Sequence, residues 1–122
     1  MTAHVYELDS FLCRFSTNSI SYTELDLLRD LWLGTLRSAG MYFALSDSLS
    51  VHFNKAYTTT NDESQLRRDI SKAQTLSNEL SESSWRNTVM VFALLSNIRL
   101  IVSSLRTYFE SQHIHSLTLQ ET

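Results

Sequence analysis

The sequence predicts an all-α protein, and three observations support that prediction. The 122 residues include no proline and only two glycines, and these are the residues that most often mark turns and long loops. Apolar side chains recur every three or four residues along most of the chain, which is the spacing of one helix face. The most apolar stretch runs from Ser84 to Tyr108, and every residue from Val89 to Leu95 is apolar. A chain of this length forms one domain, so we predict a single helical bundle over residues 1–122.

The composition excludes several classes of function. The formal net charge is −3 and the pI is near 5.7, so the protein lacks the basic surface that collects nucleic-acid phosphates. Its single cysteine, Cys13, is typical of a reducing compartment, and the apolar neighbours predict a buried thiol. The N-terminus lacks the features of a signal peptide, and no window holds the roughly 18 to 20 apolar residues that span a bilayer. We therefore expect no nucleic-acid partner and no transmembrane anchor.

Two amphipathic helices are predicted in the first half of the chain. The apolar face of the first consists of Val5, Leu8, Leu12 and Phe15. The second starts at Thr23, where Asp26 completes a weak capping box. Its stripe is the most regular in the chain and consists of Leu25, Leu28, Trp32, Leu36, Ala39 and Phe43. One straight helix from Thr23 to Ala56 would measure about 50 Å, whereas the radius of gyration expected for the domain is about 14 Å. We therefore expect a bend or break at residues 46–50.

A third helix and a central hairpin are predicted in the second half. Residues 57–61 are polar and β-branched and predict a loop, from which Asn61 caps the third helix. The inward stripe of that helix consists of Leu66, Ile70, Ala73, Leu76 and Leu80. A helix from Trp85 to Glu110 would measure about 39 Å, so the polar pair Ser96-Asn97, which interrupts its apolar run, predicts a corner. Because a helix that is apolar on all sides must be surrounded by other helices, we expect this hairpin at the centre of about six helices.

Two segments resemble the Bcl-2 family of apoptosis regulators. Residues 35–45, TLRSAGMYFAL, resemble the BH3 region of the pro-survival members, whose pattern is Leu-Arg-x-Ala-Gly-Asp-x-Phe-x-Leu. Residues 79–92, ELSESSWRNTVMVF, are similar to the first homology motif, in which Glu-Leu and a short turn precede Asn-Trp-Gly-Arg and an apolar helix. Met41 replaces the aspartate of the BH3 pattern, and Arg86 lies one position earlier than the arginine of the other motif. The second homology motif and the hydrophobic tail are absent, as in the compact, iridovirus-like homologues carried by large DNA viruses.

The resemblance implies a Bcl-2-like bundle with an apolar groove bordered by its second to fifth helices. The groove would hold the amphipathic BH3 helix of a BH3-only or Bax/Bak-type pro-apoptotic protein of the host. Such an inhibitor of apoptosis is not an enzyme, needs no cofactor or metal, and acts in the host cytoplasm or peripherally at mitochondria. The partner-binding residues that the resemblance implies are Phe43, Asp47, Val51, Phe53, Leu76, Leu80, Arg86, Asn87, Val89, Met90 and Leu94.

Arg86 is the charged contact that the resemblance implies. A BH3 helix carries an aspartate, and a guanidinium at the edge of the groove can form a paired, charge-assisted hydrogen bond with it. A shift of one residue turns a side chain by about 100° around a helix. Asn87 is therefore the alternative contact, as a neutral partner that would narrow the range of ligands.

Three other interpretations remain open. A Bcl-2-like protein with a closed groove could bind a host signalling adaptor of innate immunity. The surplus leucines of the second helix, or the groove itself, could join two copies in a homodimer. Glu110-Ser111-Gln112-His113, with His115, resembles half of a helical di-iron site, but the apolar stripes offer no second pair of ligands.

Overall fold

The structure is a computed structural model that describes residues 2–15, 21–52 and 61–121, with the side chains of residues 4–15, 21–45, 47 and 62–112. Almost all of these residues are helical and none of them lies in a strand, so the all-α prediction is confirmed. The described helices are α1 (Thr2–Arg14), α2 (Tyr22–His52), α3 (Asn61–Glu79), α4 (Glu82–Trp85) and α5 (Thr88–Glu121).

The four long helices pack in the cyclic order α1, α2, α3, α5. Helix α1 contacts α2 and α5, and α3 contacts the same two helices, so α2 and α5 lie diagonally across the bundle. Tyr6 donates a hydrogen bond to Glu110 (3.4 Å), and Arg106 donates one to Asp9 (2.9 Å). Because the residue number falls along α5 as it rises along α1, these two helices are antiparallel.

Helices α2 and α3 are antiparallel by the same argument. The indole N–H of Trp32 donates to the Ser77 hydroxyl (3.0 Å), and Arg67 donates to Asp47 (2.8 Å). One end of the bundle is closed by α4, a single turn that contacts α2 and α5 and buries Trp85. The described residues therefore form an antiparallel four-helix bundle with a short helical turn across one end.

The buried side chains of the long helices are spaced alternately by three and four residues. In α5 they include Val91, Leu95, Ile98, Val102, Leu105 and Phe109. In α3 they are Leu66, Ile70, Ala73 and Ser77. This heptad spacing lets side chains interlock between helices that cross at about 20°, and it is typical of four-helix bundles. The spacing of the core is thus the one expected for helices packed side by side in a bundle.

The start of α2 differs from the prediction. The Ser21 hydroxyl accepts a hydrogen bond from the backbone N–H of Glu24 (3.1 Å) and donates one to the Glu24 carboxylate (3.3 Å). These bonds satisfy a free N–H at the first turn, which is what an N-cap does. The expected cap from Thr23 to Asp26 is therefore wrong, and Asp26 instead binds Arg86 (3.1 Å).

Two helices are longer than the sequence predicts. Helix α2 continues to His52 without the break expected at residues 46–50, and α5 continues through Ser96-Asn97 to Glu121. The predicted corner and the central hairpin are therefore wrong, and the described residues form five helices where about six are expected. The prediction assumed a domain too short for such helices, but a four-helix bundle is elongated and its helices lie along the long axis. The break in the apolar stretch is instead at Arg86-Asn87, directly before α5.

Helix α5 is not enclosed by its neighbours. Val89, Phe92 and Leu100 are 79%, 54% and 62% exposed, so the expectation of burial on all sides is wrong. By length and composition, the segment Thr88–Gln112 would suit a membrane-crossing helix. Its mean hydropathy is 1.8, and 33% of its 18-residue apolar window is buried inside the bundle. Core helices of soluble proteins have such a length and composition as well, so this is weak evidence for a membrane span. The expected absence of a transmembrane anchor stays a prediction.

Candidate functional site

Phe43 lies in an aromatic cluster where α2 meets the N-terminal half of α3 and the C-terminal half of α5. Its side chain is 5% exposed. The rings of Tyr42 and Tyr108 pack against it at centroid distances of 5.4 Å each, and the Arg67 guanidinium lies 4.8 Å from its ring centroid. Phe43 is therefore part of the core at this end of the bundle and does not line an open groove.

Asp47 forms an ion pair that joins α2 to α3. Both of its carboxylate oxygens accept hydrogen bonds from Nη1 of Arg67 at 2.8 Å, and Nη2 of Arg67 donates to Glu63 at 3.3 Å. The hydrogen bond to Asp47 is the main reason that the pKa of Arg67 is raised. The two other residues predicted on this wall, the side chain of Val51 and the whole of Phe53, lie outside the described residues.

The same cluster contains a tyrosine with a perturbed hydroxyl. Tyr108 donates a hydrogen bond to Glu63 (3.0 Å) across the interface of α3 and α5. Burial, followed by this hydrogen bond, raises the pKa of Tyr108 well above its ordinary value of 10. The neutral phenol is therefore the form that the folded state favours.

We expect the stability of the protein to fall in alkaline solution because of Tyr108. Its pKa is higher in the folded than in the unfolded chain, so its stabilising contribution is complete below about pH 10 and is lost as the pH rises through the folded-state pKa. Urea unfolding of the wild type and of Tyr108→Phe, between about pH 8 and about pH 11, measures this loss. The free energy of unfolding should fall more steeply with pH in the wild type, and equal slopes would contradict the assignment.

Five of the predicted partner-binding residues lie on two adjacent helices at the opposite end of the bundle. Leu76 lies on α3 and Leu80 follows it, whereas Val89, Met90 and Leu94 lie on α5. The bond between Glu63 and Tyr108 sets the register of the antiparallel pair. Equal rise along both helices then places Leu76 level with Leu95 and Leu80 level with Val91. These side chains therefore lie at one level of the bundle, at the end of α3 and the start of α5.

We call this surface the α3–α5 patch, defined by Leu76, Leu80, Val89, Met90 and Leu94. Leu76, Val89 and Met90 are 55%, 79% and 38% exposed. Leu80 and Leu94 are half-buried and pack against the core. Single exposed apolar residues are ordinary, but several in one place indicate a surface that binds another molecule.

The side chain of Arg86 faces α2. Its guanidinium is 3.1 Å from the Asp26 carboxylate and 3.6 Å from that of Glu82, and it lies 5.1 Å from the centroid of the Tyr22 ring. The hydrogen bond to Asp26 is the main cause of the raised pKa of Arg86. A ligand carboxylate would therefore have to displace Asp26 in order to bind this arginine.

Asn87 is the N-cap of α5. Its side-chain oxygen accepts hydrogen bonds from the backbone N–H groups of Val89 (3.1 Å) and Met90 (3.3 Å). This arrangement fixes the first turn of α5, which carries the outermost residues of the α3–α5 patch. An asparagine just before an apolar run is an N-cap signal, and it could have located the start of this helix in the sequence.

Cys13 is exposed, and its predicted burial is wrong. It borders a cavity of about 200 Å³ between α1 and α5, which Asp9 and Arg99 also line. Within residues 2–15, 21–52 and 61–121, no three His, Cys, Asp or Glu residues are grouped so that they could hold a metal ion. The side chains of His113 and His115 lie outside the described residues.

The two groups of predicted residues are well separated. Arg67, which covers Phe43 and binds Asp47, precedes Leu76 by nine residues, or about 14 Å along α3. Helix α3 also lies between α2 and α5 in the cyclic order. The structure therefore brings together the α3–α5 patch and leaves the residues of α2 outside it. No family model matches the chain, and neither a curated protein nor a solved structure is significantly similar to it.

Proposed function

We propose that this protein binds an amphipathic helix of a partner protein on the α3–α5 patch and catalyses no reaction. The observation that supports this function is the presence of Leu76, Val89 and Met90, exposed and apolar, on two adjacent antiparallel helices. A helix laid along their interface would present one apolar face to the patch, as in other helix-in-groove complexes. The flexible thioether of Met90 suits such a surface because it adapts to different side chains.

The proposed partner is the BH3 helix of a pro-apoptotic protein of the host. This assignment, and that of the bundle to the Bcl-2-like class, rest on the resemblance of residues 35–45 and 79–92 to the family's motifs. The buried Trp85 before the most apolar helix is compatible with the first homology motif, which residues 79–92 resemble. By sequestering BH3 helices in the host cytoplasm or at mitochondria, the protein would prevent permeabilisation of the mitochondrial outer membrane, as the resemblance to viral Bcl-2 homologues implies.

Arg86 supplies the charged contact in this proposal. The aspartate of a BH3 helix would take the place of Asp26, which binds Arg86 at the exposed edge of α2. The ion pair of Arg86 with Asp26 and the one proposed with the BH3 aspartate are both exposed, so each contributes little free energy. Exchange of one carboxylate for the other therefore costs little. Asn87 does not take this role in the proposal, since its oxygen caps α5.

Calorimetric titration with a panel of BH3 peptides tests the proposal. We expect at least one peptide to bind with a dissociation constant in the sub-micromolar to micromolar range. Val89→Glu and Leu76→Glu should each weaken binding by about tenfold or more, because they place a charge in the apolar contact. Val89 lies in the first turn of α5, where an acidic side chain is favourable, so the fold should tolerate its replacement.

Leu100→Glu is the matched control. Leu100 is 62% exposed on α5, and its replacement adds the same charge to the same helix about 9 Å beyond Leu94, the last patch residue of α5. It should leave peptide binding unchanged, whereas Arg86→Ala should weaken binding. Absence of binding across the whole panel would overturn the BH3 assignment. An equal loss of affinity in the Leu100 variant would show that the peptide binds elsewhere.

A further inference from the structure

A second apolar stripe lies on α2, on the side away from the core. We call it the α2 seam, and it consists of Leu27, Leu31, Gly34, Ser38, Met41 and Leu45. Its members are spaced alternately by four and three residues, which is the spacing of residues that face a partner helix in a coiled coil. Leu27, Met41 and Leu45 are 46%, 68% and 61% exposed. In the part of the chain that the structure describes, both ends of this face are therefore open to solvent. Leu31, Gly34 and Ser38 at its middle are half-buried, and Leu31 packs against the core.

Helices α1 and α3 flank the seam without covering it. The hydroxyl of Thr35 donates to the backbone carbonyl of His4 on α1 (3.4 Å), and the Gln74 amide of α3 donates to the carbonyl of Leu36 (3.0 Å). These contacts occupy the two sides of α2 that face its neighbours. Among the residues with described positions, neither α1 nor α3 covers the outward side between these contacts.

Gly34 has no role that the described residues of one chain explain. A glycine within a helix is destabilising relative to alanine, yet a Cβ added at Gly34 would meet no atom within 4 Å. Gly40 differs, since a Cβ there would lie 3.0 Å from the Gln74 amide nitrogen. A glycine at the middle of an exposed apolar stripe fits a site where the backbone of a second helix approaches closely.

We propose that the α2 seam is the interface between two copies of this chain, which pack their α2 helices antiparallel about a two-fold axis at the level of Leu36. In such an interface, residue i of one copy meets residue j of the other, and j meets i. The seam is symmetric about Leu36: Leu27 and Leu45 lie nine residues from it, Leu31 and Met41 five, and Gly34 and Ser38 two. Large side chains therefore meet large ones at both ends, and the two smallest residues meet at the axis.

Charge allows the antiparallel pair along most of the seam. The seam itself contains no charged residue, and Asp30 and Arg37 lie along one edge. In the antiparallel pair, Asp30 comes level with the uncharged Tyr42 of the second copy. The two Arg37 side chains come close to each other beside the axis, and this repulsion weakens the dimer.

The size of the seam predicts a weak dimer. From Leu27 to Leu45 the helix rises about 27 Å, and with a width of about 10 Å the footprint is about 300 Å² for each copy. A standard stable interface buries about 800 Å² for each partner. Dimerisation should therefore depend on concentration and be half complete only in the upper micromolar range or above.

Sedimentation analysis of the full chain, from about 1 µM to about 1 mM, tests the interface. We expect the weight-average mass to rise towards that of a dimer in the wild type. Gly34→Arg should raise the dimer dissociation constant by about tenfold or more, since a charged side chain then fills the axis. Its fold should persist because the position is open and arginine favours a helix more than glycine. Ser71→Arg, at an exposed position on α3, adds the same charge and should leave dimerisation unchanged.

Disulfide cross-linking tests the orientation. In a Cys13→Ser background, a mixture of the Gly34→Cys and Ser38→Cys variants should form mixed dimers faster than either variant alone forms its own. Faster cross-linking of each variant with itself would overturn the antiparallel arrangement. A monomer at every concentration would overturn the interface. Neither result bears on peptide binding, because the α3–α5 patch lies on other helices and Gly34→Arg should leave BH3 affinity unchanged.

Discussion

Replacing Trp85 by alanine should lower the free energy of unfolding by about 3 to 5 kcal/mol. The indole is 2% exposed, although it belongs to a helix of a single turn. The turn is held by the bonds from Trp85 N–H to the Ser81 carbonyl and from Arg86 N–H to the Ser83 carbonyl, at 3.2 Å each. So short a helix does not persist without tertiary packing. Removal of the indole therefore removes the contact that anchors the connection from α3 to α5.

Urea unfolding of Trp85→Ala and Trp85→Phe measures this contribution. Phenylalanine keeps most of the apolar volume, so its cost should be well below that of alanine. The alanine variant should also bind a BH3 peptide less tightly, because the displaced turn carries Asn87 and the start of α5 with it. A loss of stability below about 1 kcal/mol, typical of an exposed site, would show that Trp85 does not anchor the end of the bundle.

The sequence predicted the core of the individual helices well because apolar spacing is a local property. All six residues of the stripe from Leu25 to Phe43 are buried, and so are Val5, Leu8 and Leu12 of α1. The spacing within one or two helical turns decides which side chains share a face, and this does not depend on the neighbouring helices. The boundaries at Ser21 and Asn87 also carry local capping signals, although the prediction placed the first of them at Thr23 and missed the second.

The predicted arrangement of the helices depended on the assumption that a helix cannot be much longer than the radius of gyration of the domain. That assumption does not hold for an elongated bundle. A serine and an asparagine inside a helix each cost only about 0.5 kcal/mol relative to alanine. Burial of Leu95 and Ile98 on either side of Ser96-Asn97 contributes several times more. The continuous helix is therefore favoured over a corner. The alternation of three and four residues in the sequence is a signal for helices packed side by side in a bundle.

The candidate site shows where local spacing is ambiguous. Both Leu76 and Ser77 continue the stripe of α3 after Ala73 at a helical spacing, and the prediction chose the leucine as inward. Ser77 is the buried residue, because its hydroxyl accepts the hydrogen bond of the buried Trp32 indole (3.0 Å). Leu76 is consequently turned outwards and becomes part of the α3–α5 patch. The pairing of residues 45 positions apart decides this orientation, and periodicity within one helix does not report it.

Replacing Ser96 by proline should lower the free energy of unfolding by about 3 kcal/mol or more. Ser96 is exposed near the middle of the N-terminal half of α5, so the substitution removes no buried side chain. Proline lacks the N–H that bonds to the carbonyl of Phe92 in a continuous helix, and its ring clashes with that carbonyl. The resulting kink would displace Leu95 and Ile98, which are buried on either side of it. Urea unfolding at neutral pH measures the cost.

Glu82→Pro provides the matched control for this experiment. Glu82 is the first residue of α4, a position where proline is favoured, and the preceding Ser81 has the extended backbone (φ −73°, ψ 163°) that residues before proline adopt. Loss of the Glu82 carboxylate removes only an exposed ion pair with Arg86 at 3.6 Å. The free energy of unfolding should therefore change by about 0.5 kcal/mol or less. Equal tolerance of proline at both positions would mean that the chain turns at Ser96-Asn97 after all. A large loss at Ser96 alone requires an uninterrupted α5, on which the register of the α3–α5 patch depends.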